Sequence, residues 1–107
     1  MEKEEIVLKL MEVIKENQKY NGIQHSKIEP HTRPIDGLKM FDSLTAIEVL
    51  VALELVFEDE YGIECELDIS LFFTDKGRKA LNKERSHQSL KIEEIAENIY
   101  NKIIRGL

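Results

Sequence analysis

Residues 41–62 read FDSLTAIEVLVALELVFEDEYG, a helix with both of its ends written into it. Asp42 and Ser43 are residues whose short side-chain oxygens cap the free N–H groups of a first helical turn. Gly62 supplies a residue that accepts the left-handed conformation where a helix stops. Between them Ile47, Leu50, Leu53, Phe57 and Tyr61 recur at steps of three and four, the spacing of a buried stripe. The run Val49–Leu53 alone could pass for a buried strand. Glu48 and Glu54 frame it, and the whole segment is too long for one. Leu44, Val51 and Leu55 fall toward the flanks of the stripe and are expected to stay partly exposed.

Before this helix, residues 18–41 read as a long connection. Gly22, Pro30, Pro34 and Gly37 punctuate it and no period persists. Ile23, Ile28, Ile35, Leu38 and Phe41 recur through it, as in a loop pinned onto a core rather than a free linker. Residues 2–17 predict an amphipathic helix, with Ile6, Leu10, Val13 and Ile14 on one face and Val7 and Met11 widening it. Glu2, Glu4 and Glu5 suit the positive end of its dipole.

After the central helix, Asp68 is placed to cap a short helical turn over 68–73, DISLFF. Residues 74–88, TDKGRKALNKERSHQ, predict a polar and mostly basic loop with a helical stretch around Lys79–Lys83. Residues 90–104 predict the last helix, with Ile92, Ile95, Ile99 and Ile103 as its stripe and Ser89 as its cap. The fold class expected is all-α, in one domain over 1–107. The chain's 107 residues and low Gly and Pro content agree with that.

Charge divides the chain into thirds. Residues 1–41 balance, with seven acidic and seven basic side chains. Residues 42–75 carry ten acidic side chains and no Lys or Arg, and 76–107 have four acidic and eight basic. With a net charge of −6, nucleic acid is not an expected partner, because phosphate binding needs a basic surface. The acidic block would steer basic partners toward one face. The apolar runs are far too short for a membrane span, and the charged start MEKEEIVLKL is unlike a secretory signal. The single Cys65 forms no internal disulfide. A cytoplasmic monomer is the expectation.

Catalytic patterns are missing. His25, His31 and His87 are scattered, with no metal-ligand spacing between them or to Cys65. There is no Gly-rich phosphate loop, H-E-x-x-H or C-x-x-C. The reading is not an enzyme, and no metal is expected.

The segment Phe41–Glu54, FDSLTAIEVLVALE, resembles the phosphopantetheine attachment motif of acyl carrier proteins and peptidyl carrier domains. The matching residues are Asp42, Ser43, Leu44, Glu48 and, at the helix end, Tyr61-Gly62-Ile63. The run TRPIDGLKMFDSL at 32–44 looks like the approach to that site, and KIEEIAENI at 91–99 is similar to the family's last helix. Asp-Ser-Leu alone would mark only a helix cap. The longer pattern, the acidic block and the helix order make the resemblance specific.

The resemblance implies a four-helix bundle with a long first loop, here with a basic insert between the third and fourth helices. It implies a carrier of acyl, aminoacyl or polyketide intermediates as thioesters, on a 4′-phosphopantetheine arm attached to Ser43 and flanked by Asp42 and Leu44. It implies docking of basic enzyme patches at Leu44, Glu48, Val51 and Glu54. The partners would be a phosphopantetheinyl transferase, an acyl-loading ligase or acyltransferase, and downstream biosynthetic enzymes. The alternative is a small helical interaction module of the same fold without a prosthetic group.

Three departures point to a specialised pathway rather than housekeeping fatty-acid synthesis. Thr45 stands where the family often has an acid. Gly37–Phe41, GLKMF, replaces the usual approach. The central helix is about one turn longer, roughly four residues. Leu50 and Phe57, with Ile47, are candidates to line an acyl cavity, and equally ordinary core.

Overall fold

A computed structural model describes residues 1–23, 27–73 and 89–106. Helix α1 spans Lys3–Tyr20. It opens with Glu5 Oε1 accepting the Glu2 N–H at 3.0 Å. Ile6, Leu10, Ile14 and Gln18, at a strict step of four, form its buried edge. The helix runs one turn beyond the expected end because Gln18 continues that edge. Its amide Nε2 donates to the Lys39 carbonyl at 3.3 Å, which satisfies a polar group in an otherwise aliphatic interior.

The long connection is pinned by four of the five residues expected, whereas Ile23 is half-buried and outside the core cluster. Ile28 and Phe41 are buried, and Ile35 and Leu38 pack against the core. Within it Pro34–Gly37 forms a single helical turn, α2, with Pro34 at its first position. That turn was not foreseen. The carbonyls of Pro30 and Thr32 accept the N–H groups of Glu93 and Ile92, at 2.9 Å each. The loop thereby caps the start of the last helix.

Helix α3 spans Ser43–Tyr61, the expected bounds. Gly62 follows at φ 66°, and its N–H is bonded back to the Glu58 carbonyl. Val49, Leu50, Leu53 and Phe57 are buried. Ile47, expected in that stripe, is 45% exposed. Leu44, Val51 and Leu55 are exposed as expected. A 3-10 turn, Ile69–Phe72, follows, with Asp68 accepting the Ser70 N–H at 2.9 Å. Its Phe72 is fully buried and stacks on Phe41, centroids 6.2 Å apart.

Helix α4 spans Ile92–Gly106. Ile92, Ile95, Ile99 and Ile103 are buried. Its cap differs from expectation. The Lys91 N–H donates to Glu94 Oε1 at 2.9 Å, whereas Ser89 lies two residues earlier, in an isolated antiparallel bridge with Phe73. The Ser89 hydroxyl donates to Asp36 Oδ2 at 2.6 Å, and its carbonyl accepts from Arg33. Ser89 therefore ties the last helix to α2.

Helix α1 packs on both α3 and α4, and the 3-10 turn bridges α3 to α4. The described residues are all-α, with one hydrophobic core. At the rim, Lys9 pairs with Glu60 at 2.8 Å and Tyr61 donates to Glu5 at 3.1 Å, joining α1 to the end of α3. The basic insert 74–88, with the expected helical stretch around Lys79–Lys83, lies outside the described residues. So do His25 and His87.

Candidate functional site

Ser43 is the first residue of α3 and is exposed. The chain reaches it through a sharp turn at Met40, the one non-glycine residue with positive φ, at 59°, among those described. That conformation costs a residue with a Cβ about 1–2 kcal/mol. It is followed by Phe41 turned into the core, where the ring stack on Phe72 holds it. Lys39, one residue earlier, is fastened to α1 through Gln18. The segment before Ser43 is thus anchored on both sides.

Asp42 is the N-cap. Its Oδ1 accepts the Thr45 N–H at 2.9 Å and lies 3.0 Å from the Thr45 hydroxyl. The Thr45 Oγ1 also lies 3.4 Å from the Met40 carbonyl. The Thr45 N–H, then the Thr45 hydroxyl, holds the Asp42 carboxyl below its ordinary range. Thr45 itself is buried. An acid there would lose solvation, which accounts physically for the threonine.

Leu44 is 69% exposed and Met40 72%. Leu44, Ile47, Val51 and Leu55 line the outer face of α3 in one apolar stripe, at the helical steps of three and four, and Met40 stands just before the helix. Ile47 was assigned inward, so this stripe was only partly foreseen. Its signal was present as a second series, 44, 47, 51 and 55, beside the buried one. Glu48 is exposed beside the stripe. Glu54 is half-buried, and its Oε2 accepts the Leu67 N–H at 2.7 Å. One of its two oxygens therefore serves the loop after α3. Glu58, Asp59 and Glu60 are exposed at the far end of the helix, and Glu60 is held by Lys9.

Ser43, Leu44 and the apolar stripe share one side of α3, and Glu48 stands at its edge toward α1. Of the residues named as candidate acyl-cavity lining, Leu50 and Phe57 are closed into the core and Ile47 faces out. His31 lies 2.9 Å from Glu29 at the surface. Burial, then Glu54, raises the Cys65 thiol above its ordinary range, which disfavours the thiolate, the nucleophilic form. Among the described residues no group of His, Cys, Asp and Glu is placed to hold a metal. Among them, too, no helix is long and apolar enough to cross a membrane.

Compared with family models, with curated proteins and with solved structures, the chain matches none.

Proposed function

We propose that this chain is a phosphopantetheine-dependent carrier of acyl, aminoacyl or polyketide intermediates, with the arm joined to Ser43 through a phosphodiester. The observation that carries the reading is the placement of Ser43. It is exposed, first in a long helix, capped by Asp42 and flanked by the exposed Leu44. The order of elements supports it: a long helix, a pinned loop, the helix that Ser43 opens, a one-turn helix and a last helix. That is the order of an acyl carrier protein-like bundle.

The residues present fit the group. Among the described residues nothing covers the Ser43 side of the first turn, where Ser43, Leu44 and Met40 are exposed. A phosphodiester at Ser43 would lie near the N–H end of α3. The positive end of the helix dipole favours such an anion by a few tenths to about 1 kcal/mol. Asp42 and Thr45 fix the turn so that the hydroxyl is presented to a transferase, which brings its own base. When bound, the group supplies a terminal thiol that holds cargo as a thioester. Leu44, Ile47 and Val51 offer partners an apolar contact, and Glu48 offers charge complementarity that sets partner choice and association rate.

The test is intact mass after incubation with coenzyme A and a promiscuous phosphopantetheinyl transferase. One added arm, lost in Ser43→Ala, is expected. A folded protein that gains no mass beside an active transferase would sink the reading, and would leave an interaction module that uses the same apolar stripe.

A further inference from the structure

A second surface lies on the other flank of α3. An open groove runs between α1 and α3, with Val13, Val49, Ala52 and Val56 along its floor. Its rim carries Glu12, Glu16 and Glu48, and among the described residues no Lys or Arg lines it. Tyr20, 90% exposed, stands at one end. The nearest cation on α1 that contacts the rim is Lys9, 3.7 Å from Glu12, and it is already held by Glu60 at 2.8 Å. An apolar trough with acidic edges matches one kind of occupant. That occupant is a helix with an aliphatic stripe and Lys or Arg on both sides of it.

Among the described residues a second copy of this chain offers no such helix: α1 carries four acidic and four basic side chains, α3 no base, and α4 three acidic and two basic. Like charges across such a contact are repelled. The groove also lies away from Ser43. At 3.6 residues per turn, Val49, Ala52 and Val56 sit roughly half a turn around α3 from Ser43. A helix seated there leaves the first turn of α3 and the Leu44–Val51 stripe open.

We propose that the α1–α3 groove binds a cationic amphipathic helix of a partner protein while Ser43 remains accessible. Such a contact leaves Ser43, Leu44 and Val51 open and shares Glu48 with the face its transfer partners use. It goes beyond the carrier reading, and the binding itself does not depend on Ser43 being modified. Tyr20 supplies an aromatic anchor at the rim, the residue type that often dominates such contacts.

The probe is a labelled helical Leu/Lys peptide with one leucine stripe, read by fluorescence polarisation at low salt against the full chain. Its scrambled isomer keeps the composition and loses the stripe. The striped peptide is expected to bind about tenfold more tightly than the scramble. Affinity should drop about tenfold in the double variant Glu12→Lys/Glu16→Lys, with helicity and melting temperature retained. Reversal of the same number of charges away from the groove, Glu64→Lys/Glu66→Lys, should change it less than about twofold. Equal binding of scramble and stripe, or equal losses in the two double variants, would mean that net charge alone binds, and would overturn the proposal. Saturating peptide should slow Ser43 modification no more than Glu48→Lys does, about tenfold at low salt, because Glu48 is shared, and a complete block of modification would overturn the claim that Ser43 remains accessible. A chain that binds the peptide and is never modified would reject the carrier reading and leave the groove assignment standing.

Discussion

Asp42 Oδ1 lies 2.9 Å from the backbone nitrogen of Thr45 and 3.0 Å from its hydroxyl oxygen. One carboxylate oxygen thus closes the first turn of α3 twice, directly beside Ser43. The folded carboxyl is held below its ordinary range, first by the Thr45 N–H and then by the hydroxyl. A depressed carboxylate contributes stability that is present above the unfolded value and is lost as pH falls through the folded one. The expected result is a carbon-detected NMR titration of Asp42 with its midpoint below that of an exposed aspartate. Thr45→Val keeps the N–H, so it should return the midpoint only part of the way. A midpoint at or above the ordinary value in the parent chain would refute the cap.

Glu5 and Asp68 move in the same direction. The Glu2 N–H lowers Glu5, with Tyr61 second, and the Ser70 side chain is the largest cause for Asp68. Acid should therefore loosen three helix starts together, those of α1, α3 and the 3-10 turn. Hydrogen exchange measured across the acid range is expected to show the amides of Glu2, Thr45 and Ser70 losing protection before those of the Ile95–Ile99 stretch of α4. Uniform loss across the chain would count against three local caps.

Leu53 and Ile47 make a matched pair of aliphatic residues on one helix with opposite surroundings. Leu53 is fully buried and Ile47 is 45% exposed. Leu53→Ala is expected to cost about 2–5 kcal/mol, since a cavity remains among close-packed neighbours. Ile47→Ala should cost no more than about 0.5 kcal/mol. Urea unfolding of both variants measures the contrast. Similar losses would place Ile47 back inside the core.

That pair also marks how far the sequence could be read. The bounds of α3 were legible because Asp42, Ser43 and Gly62 act locally, through caps and a left-handed residue. Asp68 announced the 3-10 turn in the same way, and the Ile92–Ile103 series announced α4. Which flank of α3 turns inward was harder, because apolar residues occupy nearly every side of it. Both the 47-50-53-57 series and the 44-47-51-55 series have helical spacing, and only the packing of α1 and the 3-10 turn selects between them. Ser89 and Gln18 were misjudged for a related reason. Their partners, Asp36 and the Lys39 carbonyl, lie far along the chain, and no local pattern encodes such a contact.

Gly62 closes α3 at φ 66°, and a Cβ added there would meet nothing within 4 Å. The cost of a side chain is therefore conformational alone. Gly62→Ala is expected to destabilise by about 1–2 kcal/mol, and Gly62→Asn by less, because asparagine tolerates the left-handed region. Thermal unfolding of the two variants checks the order. Equal stability of Gly62→Ala and the parent chain would mean the helix end rearranges.

Glu48 and Glu54 are both acids of α3, and the carrier reading separates them. Glu48 is exposed beside the apolar stripe. Glu54 lends an oxygen to the N–H of the buried Leu67 at 2.7 Å. Glu48→Lys should slow transferase modification of Ser43 about tenfold at low salt, with the difference shrinking as salt screens the contact. Its melting temperature should hold. Leu44→Ala and Val51→Ala should raise the KM of the same reaction with little dependence on salt, because the contact they remove is apolar. Glu54→Ala should appear chiefly in stability, at about 1–2 kcal/mol, since a buried N–H loses its charged acceptor. Its modification rate at low salt should fall less than that of Glu48→Lys. If Glu54→Ala slows modification as strongly while the fold keeps its stability, the free oxygen of Glu54 belongs to the docking face and the Leu67 contact is secondary.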